Sequence, residues 1–227
     1  MPCRFAFAKF LHSSVKLEQF AEIIHVKEEE ELEFVRGGDF GFFSTIKGFF
    51  ALEKKEENRV STIQIFGQTE VVGFGSWLYP DTMMPHRLVS LAPGSLAPGS
   101  LAFLTKENTD LLLISFPKLN DLLVGSLCEI NFLYHRRISD LGSHSVRSRV
   151  ASALICLSER FGQKSSSGIF LNVPLNRIRL SSLSGTSPES LSRMLTEMEK
   201  SGVIQRDRRR LIVRDVNQLQ EIRSIKF

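Results

Sequence analysis

The sequence predicts an α+β chain of three successive parts: an N-terminal β-rich domain, one long amphipathic helix, and a C-terminal domain of short helices closed by a β-hairpin. Three observations predict this order. Short apolar runs broken by glycine and polar residues fill positions 20–114. An apolar stripe with helical spacing then begins at Leu119, and two short helical patterns flank Gly185. We expect the domains to span 1–115, 116–142 and 143–227.

The first part predicts a compact β-roll, similar in layout to a jelly roll. Its apolar runs include 40–46, 60–66 and 111–114, and turn signals such as the Gly37-Gly38-Asp39 sequence separate them. Short strands with regular turn signals are typical of all-β rolls and sandwiches.

The second part is predicted to form a helix of about 25 residues, well above the mean helix length of about 11 residues in globular proteins. Its apolar residues recur at intervals of 4, 4, 3, 4 and 7 from Leu119 onward. A single apolar seam of this length favours helix pairing across a dimer, although a long helix resting on its own β domain is the alternative. The predicted seam comprises Leu123, Leu127, Ile130, Tyr134 and Leu141.

The third part predicts a helix-turn-helix. Gly185 allows a turn with positive φ, and Ser187-Pro188-Glu189 has the N-cap, N1 proline and first-turn acid of a helix start. The helix after it places one set of residues inward (Leu191, Met194, Leu195 and Met198) and another outward (Glu189, Ser192 and Arg193). In a DNA-binding helix-turn-helix this second helix enters the major groove, whereas an ordinary αα-hairpin would merely expose it to solvent.

The C-terminal part is also basic. Residues 143–227 hold 15 Lys/Arg against 7 Asp/Glu, a net of +8, while residues 1–142 have a net of −4. A β-hairpin predicted at 203–213 carries Arg208, Arg209 and Arg210 at its tip. This balance favours a polyanion partner for the C-terminal part.

Several classes of protein are disfavoured. No apolar run approaches the ~20 residues of a membrane span, and the N-terminal segment lacks a signal-peptide pattern. Three separated cysteines form neither a disulfide framework nor a metal cluster, so we expect a cytoplasmic protein. Phosphate-binding glycine loops, zinc-ligand spacings and nucleophile elbows are missing from the sequence, which argues against an enzyme.

This order of parts resembles the Crp/Fnr family of bacterial transcription regulators. The likeness is strongest over 146–215, in the sequences Arg149-Val-Ala-Ser-Ala-Leu154, Gly185-Thr-Ser-Pro-Glu-Ser-Leu-Ser-Arg-Met-Leu195 and Leu211-Ile-Val-Arg-Asp215. The resemblance implies a cyclic-nucleotide-binding-like β-roll, a dimerisation helix and a winged helix-turn-helix. It also implies a homodimer that binds double-stranded DNA, with RNA polymerase as a further partner.

The resemblance assigns roles to individual residues. Glu189, Ser192 and Arg193 reproduce the Glu-x-x-Ser-Arg pattern of the Fnr-like branch and would contact base edges. Pro188 stands where the cyclic-AMP-receptor branch has arginine, so the resemblance implies a TTGAT-like rather than a TGTGA half-site. The phosphate contacts expected are Arg177, Thr186, Ser187, Arg208 and Arg209.

The effector is not predicted. Phe74 stands where cyclic-nucleotide-binding relatives have a ribose-holding glutamate, so we expect no cyclic AMP binding. The cysteines cannot supply an iron–sulfur cluster, and haem ligation by His12, His25 or His86 has no supporting pattern, so no cofactor is predicted. Two alternatives remain open: a constitutive DNA binder without effector, and a non-DNA interaction module with a degenerate β-roll.

Overall fold

The computed structural model describes residues 6–57, 59–75, 86–91, 99–143, 145–207 and 210–224. The chain divides into two compact units, Met1–Phe132 and Leu133–Phe227. The predicted order of a β domain, a long helix and a C-terminal helix-turn-helix region is confirmed.

Unit 1 is built on two antiparallel sheets. Its strands are β1 Glu22–Val26, β2 Glu31–Leu32, β3 Val35–Arg36, β4 Asp39–Lys47, β5 Phe49–Glu56, β6 Arg59–Phe66, β7 Val71–Val72, β8 His86–Leu91 and β9 Gly99–Thr105. One sheet has the order β1-β9-β4-β3, with β7 also paired to β4, and the other has the order β2-β8-β5-β6.

Successive side chains along β4 and β9 point to opposite faces of the first sheet, and apolar residues occupy both faces. Phe43 and Phe103 face one side and join Phe50 and Leu88 of the second sheet in a buried cluster. Phe42, one position from Phe43, lies in a different cluster made with helices. The first sheet is therefore covered on both faces, by the second sheet and by helices.

Two of those helices were not predicted. They are α1, Ala6–Ser14, and α2, Lys106–Ser115. The apolar run at 111–114, expected among the strands, lies in α2, where the Thr105 hydroxyl accepts from the Asn108 N–H and caps the helix. A run of four apolar residues fits a buried strand or a helix equally well, and here the cap decides.

The long helix is α3, Lys118–Ser143, with 26 residues. Within unit 1 its Leu119 and Leu123 are buried in the cluster that contains α1, α2 and Phe42. Among the described residues, no helix has the length and apolar character needed to cross a membrane.

Unit 2 surrounds its core with helices and a small sheet. Its further elements are α4 Val146–Phe161, β10 Gly162–Ser165, β11 Gly168–Leu171, α5 Arg177–Leu183, α6 Pro188–Lys200, β12 Ile204–Asp207, β13 Arg210–Val213 and α7 Val216–Ser224. The strands form an antiparallel sheet of order β10-β11-β13-β12. Residues 162–165 form an exposed strand that pairs with β11.

Candidate nucleic-acid interface

The turn between α5 and α6 has the predicted local chemistry. Asn176 caps α5 by accepting from the Arg179 N–H at 2.8 Å. Gly185 has φ +61°, the left-handed conformation that glycine adopts without strain. The Ser187 hydroxyl accepts from the Ser190 N–H at 3.2 Å and Pro188 occupies the first turn, so α6 begins where the sequence predicts.

Helix α6 is strongly amphipathic. Leu191, Leu195 and Met198 are buried in the core of unit 2, where they pack with residues of α4, α7 and β13. Burial of a leucine or methionine side chain contributes about 1.5–3 kcal/mol, so this face fixes the helix in the unit. The opposite face is left to solvent.

Two of the three predicted base-contacting residues are exposed to solvent. Glu189 and Arg193 are exposed one helical turn apart, and Ser192 is half-buried with its hydroxyl donating to the Pro188 carbonyl. Hydrogen bonds from its own backbone N–H and from Ser187 lower the pKa of Glu189. Glu189 is therefore an ionised acceptor near the helix start, and Arg193 is a donor beside it.

The predicted phosphate contacts fall into two groups. Arg177 is exposed at the first position of α5, Ser187 is exposed at the cap of α6, and Thr186 beside it is half-buried. Arg208 and Arg209 lie outside the described residues. The strands on either side of them, β12 and β13, pair as a hairpin, which we call the wing.

The wing is attached to α6 by a pair that sequence reasoning missed. Arg206 of β12 donates from Nε to Oε2 of Glu199 at 2.8 Å and from its backbone N–H to Oε1 at 2.9 Å. The same guanidinium lies 3.3 Å from the Thr196 hydroxyl. Glu199 and Arg206 are seven positions apart in different elements, so only the strand–helix contact brings them together.

Four of the five predicted dimer-seam residues are at least partly buried within their own chain. Leu123 is buried, and Leu127 packs beside it, against the helices and sheet of unit 1. Ile130 and Tyr134 are half-buried. Leu123 and Leu127 continue a stripe that covers the β domain of their own chain, and the pairing of the five seam residues across a dimer stays a prediction.

Leu141, the last predicted seam residue, lies against the turn of unit 2: a Cβ placed on Gly185 would be 2.2 Å from Leu141 Cδ2. Leu141 is nevertheless 45% exposed, and the other large apolar side chains that α3 exposes are Val124, Phe132 and Ile138, at 60%, 68% and 67%.

The residues considered for an effector do not converge. His12 Nε2 lies 2.9 Å from the Ser44 hydroxyl, and burial lowers the pKa of His12. His25 is exposed on β1 and His86 is half-buried on β8. Among the described residues, no group of three or more His, Cys, Asp or Glu side chains could hold a metal ion.

Comparison with known proteins agrees with this geometry. Residues 148–222 match the family model of the Crp-like helix-turn-helix domain. A 71-residue segment is 37% identical to the anaerobic regulatory protein of Bacillus subtilis (strain 168), covering 31% of this chain and 30% of that protein. This chain therefore matches less than a third of the length of that curated relative. The predicted resemblance is confirmed for this domain.

Solved structures extend the likeness to the whole fold. A CooA variant from Carboxydothermus hydrogenoformans is similar with a TM-score of 0.78 at 19% identity, covering 99% of this chain and 97% of that one. FixK2 from Bradyrhizobium japonicum has a TM-score of 0.73 at 14% identity, covering 90% and 98%. A CRP/FNR-family transcriptional regulator from Thermus thermophilus has a TM-score of 0.72 at 18% identity, covering 91% and 100%. At these identities the likeness shows the fold.

Proposed function

Because residues 148–222 form a Crp-like helix-turn-helix domain within a chain that has the fold of CRP/FNR regulators, we propose that this protein is a dimeric transcription regulator that binds a specific DNA palindrome. By the same resemblance, we propose that RNA polymerase is the protein partner of the DNA-bound dimer.

One observation supports base-specific binding above all others. The outer face of α6 presents a carboxylate, Glu189, and a guanidinium, Arg193, one turn apart, while its inner face is fixed in the core. Arginine can donate two hydrogen bonds to guanine O6 and N7, and a carboxylate can accept from cytosine N4. The resemblance to the Fnr-like branch implies a TTGAT-like half-site, so we propose a TTGAT-N4-ATCAA site, with Ser192 as the shorter contact between them.

Contacts to the DNA backbone would come from the same surface. Arg177 is exposed at the start of α5, and Thr186 and Ser187 stand at the start of α6, where helix N–H groups favour a phosphate. The wing arginines Arg208 and Arg209 would add sequence-independent attraction. These contacts orient the protein without distinguishing base pairs.

The partner for dimer formation is a second copy of this chain. Val124, Cys128, Phe132, His135 and Ile138 are all exposed on α3 and recur at intervals of 4, 4, 3 and 3; we call them the exposed stripe. Val124, Cys128, His135 and Ile138, at intervals of 4, 7 and 3, fit the heptad spacing of a helix that pairs with another helix, and Phe132 lies one position outside it. The exposed Gly125 and Gly142 lie near the ends of this stripe and leave room for close approach of two backbones.

The sensor is proposed to respond to something other than cyclic AMP. Phe74 is buried with its ring 4.4 Å from Phe42 and 5.8 Å from Phe7, measured between centroids. An apolar ring in this cluster cannot accept a hydrogen bond from a ribose hydroxyl. A constitutive DNA binder with no effector remains the second candidate.

The decisive experiment is a titration of labelled TTGAT-N4-ATCAA duplex and of a scrambled duplex of equal composition, followed by fluorescence anisotropy at several salt concentrations. We expect tighter binding to the palindrome by a factor of about 10³ or more. Equal affinity for both duplexes at every salt concentration would reject sequence-specific binding. No binding to either would favour the non-DNA interaction module.

A further inference from the structure

Two arginines from different helices bind the turn that precedes α6. Arg137 of α3 donates to the Ser182 carbonyl at 3.0 Å. Arg149 of α4 donates from Nε to the Ser184 carbonyl at 3.2 Å and from its second nitrogen to the Gly185 carbonyl at 3.1 Å. The last carbonyls of a helix lack partners within that helix, and the Ser182 carbonyl of α5 accepts from both Arg137 and the Gly185 N–H. Arg149 binds the two carbonyls of the turn that follows α5.

Close contact with α3 reinforces the same turn. Any side chain at Gly185 would meet Leu141, whose Cδ2 is 2.2 Å from the position of an added Cβ. Gly185 is thus required twice, by its positive φ and by the approach of Leu141. Arg137 and Leu141 are four positions apart on α3, so they lie on one side of the helix and touch the turn together.

The end of α3 is itself held in unit 2. Asp140 accepts a hydrogen bond from the Ser152 hydroxyl of α4. Burial lowers the pKa of Arg137, which marks a guanidinium taken largely out of water. A donor held in this way has one defined position relative to the turn.

We propose that Arg137 is a positioning residue for base recognition: with Leu141 it fixes the turn that presents Thr186, Ser187 and Glu189 to DNA. This inference rests on the proposed function, since it concerns how accurately α6 is positioned in the major groove of the bound DNA. A recognition surface has to be held within about 0.5 Å of its productive geometry to discriminate between ligands. Displacement of the turn therefore lowers specificity before it lowers attraction to phosphate.

The test compares Arg137→Met with Arg136→Met in the full chain. Each variant loses one guanidinium from neighbouring positions, but Arg136 is paired with Glu159 and not with the turn. The quantity measured is the ratio of Kd for the scrambled duplex to Kd for TTGAT-N4-ATCAA, together with the melting temperature and the sedimentation coefficient. Loss of a hydrogen bond from a charged group changes an equilibrium constant by about tenfold, so Arg137→Met should lower this ratio about tenfold.

Three results together support the inference: a lower ratio for Arg137→Met, an unchanged ratio for Arg136→Met, and partial recovery in Arg137→Lys. If Arg137 only stabilised the fold, Arg137→Met would lower the melting temperature, but the ratio of the two Kd values would be unchanged in the folded protein. Leu141→Ala provides a second variant if Arg137→Met does not fold, and it too should lower the ratio.

An unchanged ratio in Arg137→Met or in Leu141→Ala, or an equal fall in Arg136→Met, would overturn the inference. If the natural chain itself fails to discriminate between the duplexes, the proposed function fails instead. The two failures are therefore distinguishable.

Discussion

Arg206 in the first strand of the wing holds both carboxylate oxygens of Glu199 in α6 through its side chain and its own backbone N–H. The pair ties the wing to the helix that is proposed to contact bases. Because its guanidinium is already paired with a carboxylate, Arg206 is a structural cation, and phosphate attraction falls to the other arginines of this surface.

This pair predicts a pH dependence of stability. Hydrogen bonds from Arg206 lower the pKa of Glu199 below the ordinary value of 4.5. A carboxylate whose pKa is lower in the folded state stabilises the fold fully above its unfolded pKa, and this contribution is lost as pH falls through the folded pKa. Urea titrations of the full chain and of Glu199→Gln should therefore differ at pH 7, begin to approach each other as pH falls below 4.5, and converge below the lowered pKa of the folded state.

Glu197→Gln is the matched control, because Glu197 is exposed on the same helix. It should follow the natural chain more closely than Glu199→Gln does throughout the pH range. A constant difference between the natural chain and Glu199→Gln down to the acid limit would show that the carboxylate charge is not the stabilising feature.

Phosphate contacts should be separable from base contacts by their salt dependence. Arg177→Ala and Arg209→Ala should each weaken binding to palindromic and scrambled duplexes alike and reduce the slope of log K against log salt by about 1. Lys200→Ala, which removes an exposed cation at the far end of α6, is the control. A loss confined to the palindrome would assign the changed residue to base recognition instead.

The exposed stripe predicts where a charge breaks the dimer. Ile138→Glu should convert the dimer to monomer at micromolar concentration, because two carboxylates would face each other across the helix pair. Sedimentation equilibrium measures this directly. Ile114→Glu, at a 75% exposed position of α2, should leave the assembly unchanged. Dissociation by both variants, or by neither, would place the dimer contact elsewhere.

Gly185→Ala should destabilise the chain by about 1–3 kcal/mol, from the left-handed backbone and from overlap with Leu141. The double change Gly185→Ala with Leu141→Ala removes the overlap, so relative to Leu141→Ala alone it measures only the backbone cost. Urea midpoints of both variants measure the difference. Equal destabilisation by the single and double changes would mean that Leu141 does not limit the space at this turn.

Local signals explain why the region around α6 was predictable. Ser187, Pro188 and Glu189 specify a helix start within three residues, and Gly185 specifies the turn before it. The outward position of Glu189 and Arg193 follows from the apolar spacing of Leu191 and Leu195. These features depend on a few neighbouring residues, so the sequence alone contains them.

The features that were missed depend on distant contacts. The stripe through Leu119, Leu123 and Leu127 is visible in the sequence. The sequence does not show which surface covers this stripe, and in the structure that surface is the chain's own β domain. The exposed stripe contains Cys128 and His135 and is less apolar, so it was overlooked. Arg137 and Ser182 are 45 positions apart, and no spacing in the sequence joins them.

The central claim is that α6 recognises bases through Arg193 and Glu189, and the most direct test exchanges the DNA and the protein together. The binding free energies of the natural chain and of Arg193→Ala are measured on the TTGAT palindrome and on one in which adenine replaces the guanine of each half-site. The natural chain should lose about 1–3 kcal/mol per base contact removed by this replacement, and Arg193→Ala should lose less, because only the contact of Glu189 with the paired cytosine is left to lose. Equal losses for both proteins would contradict recognition of guanine by Arg193.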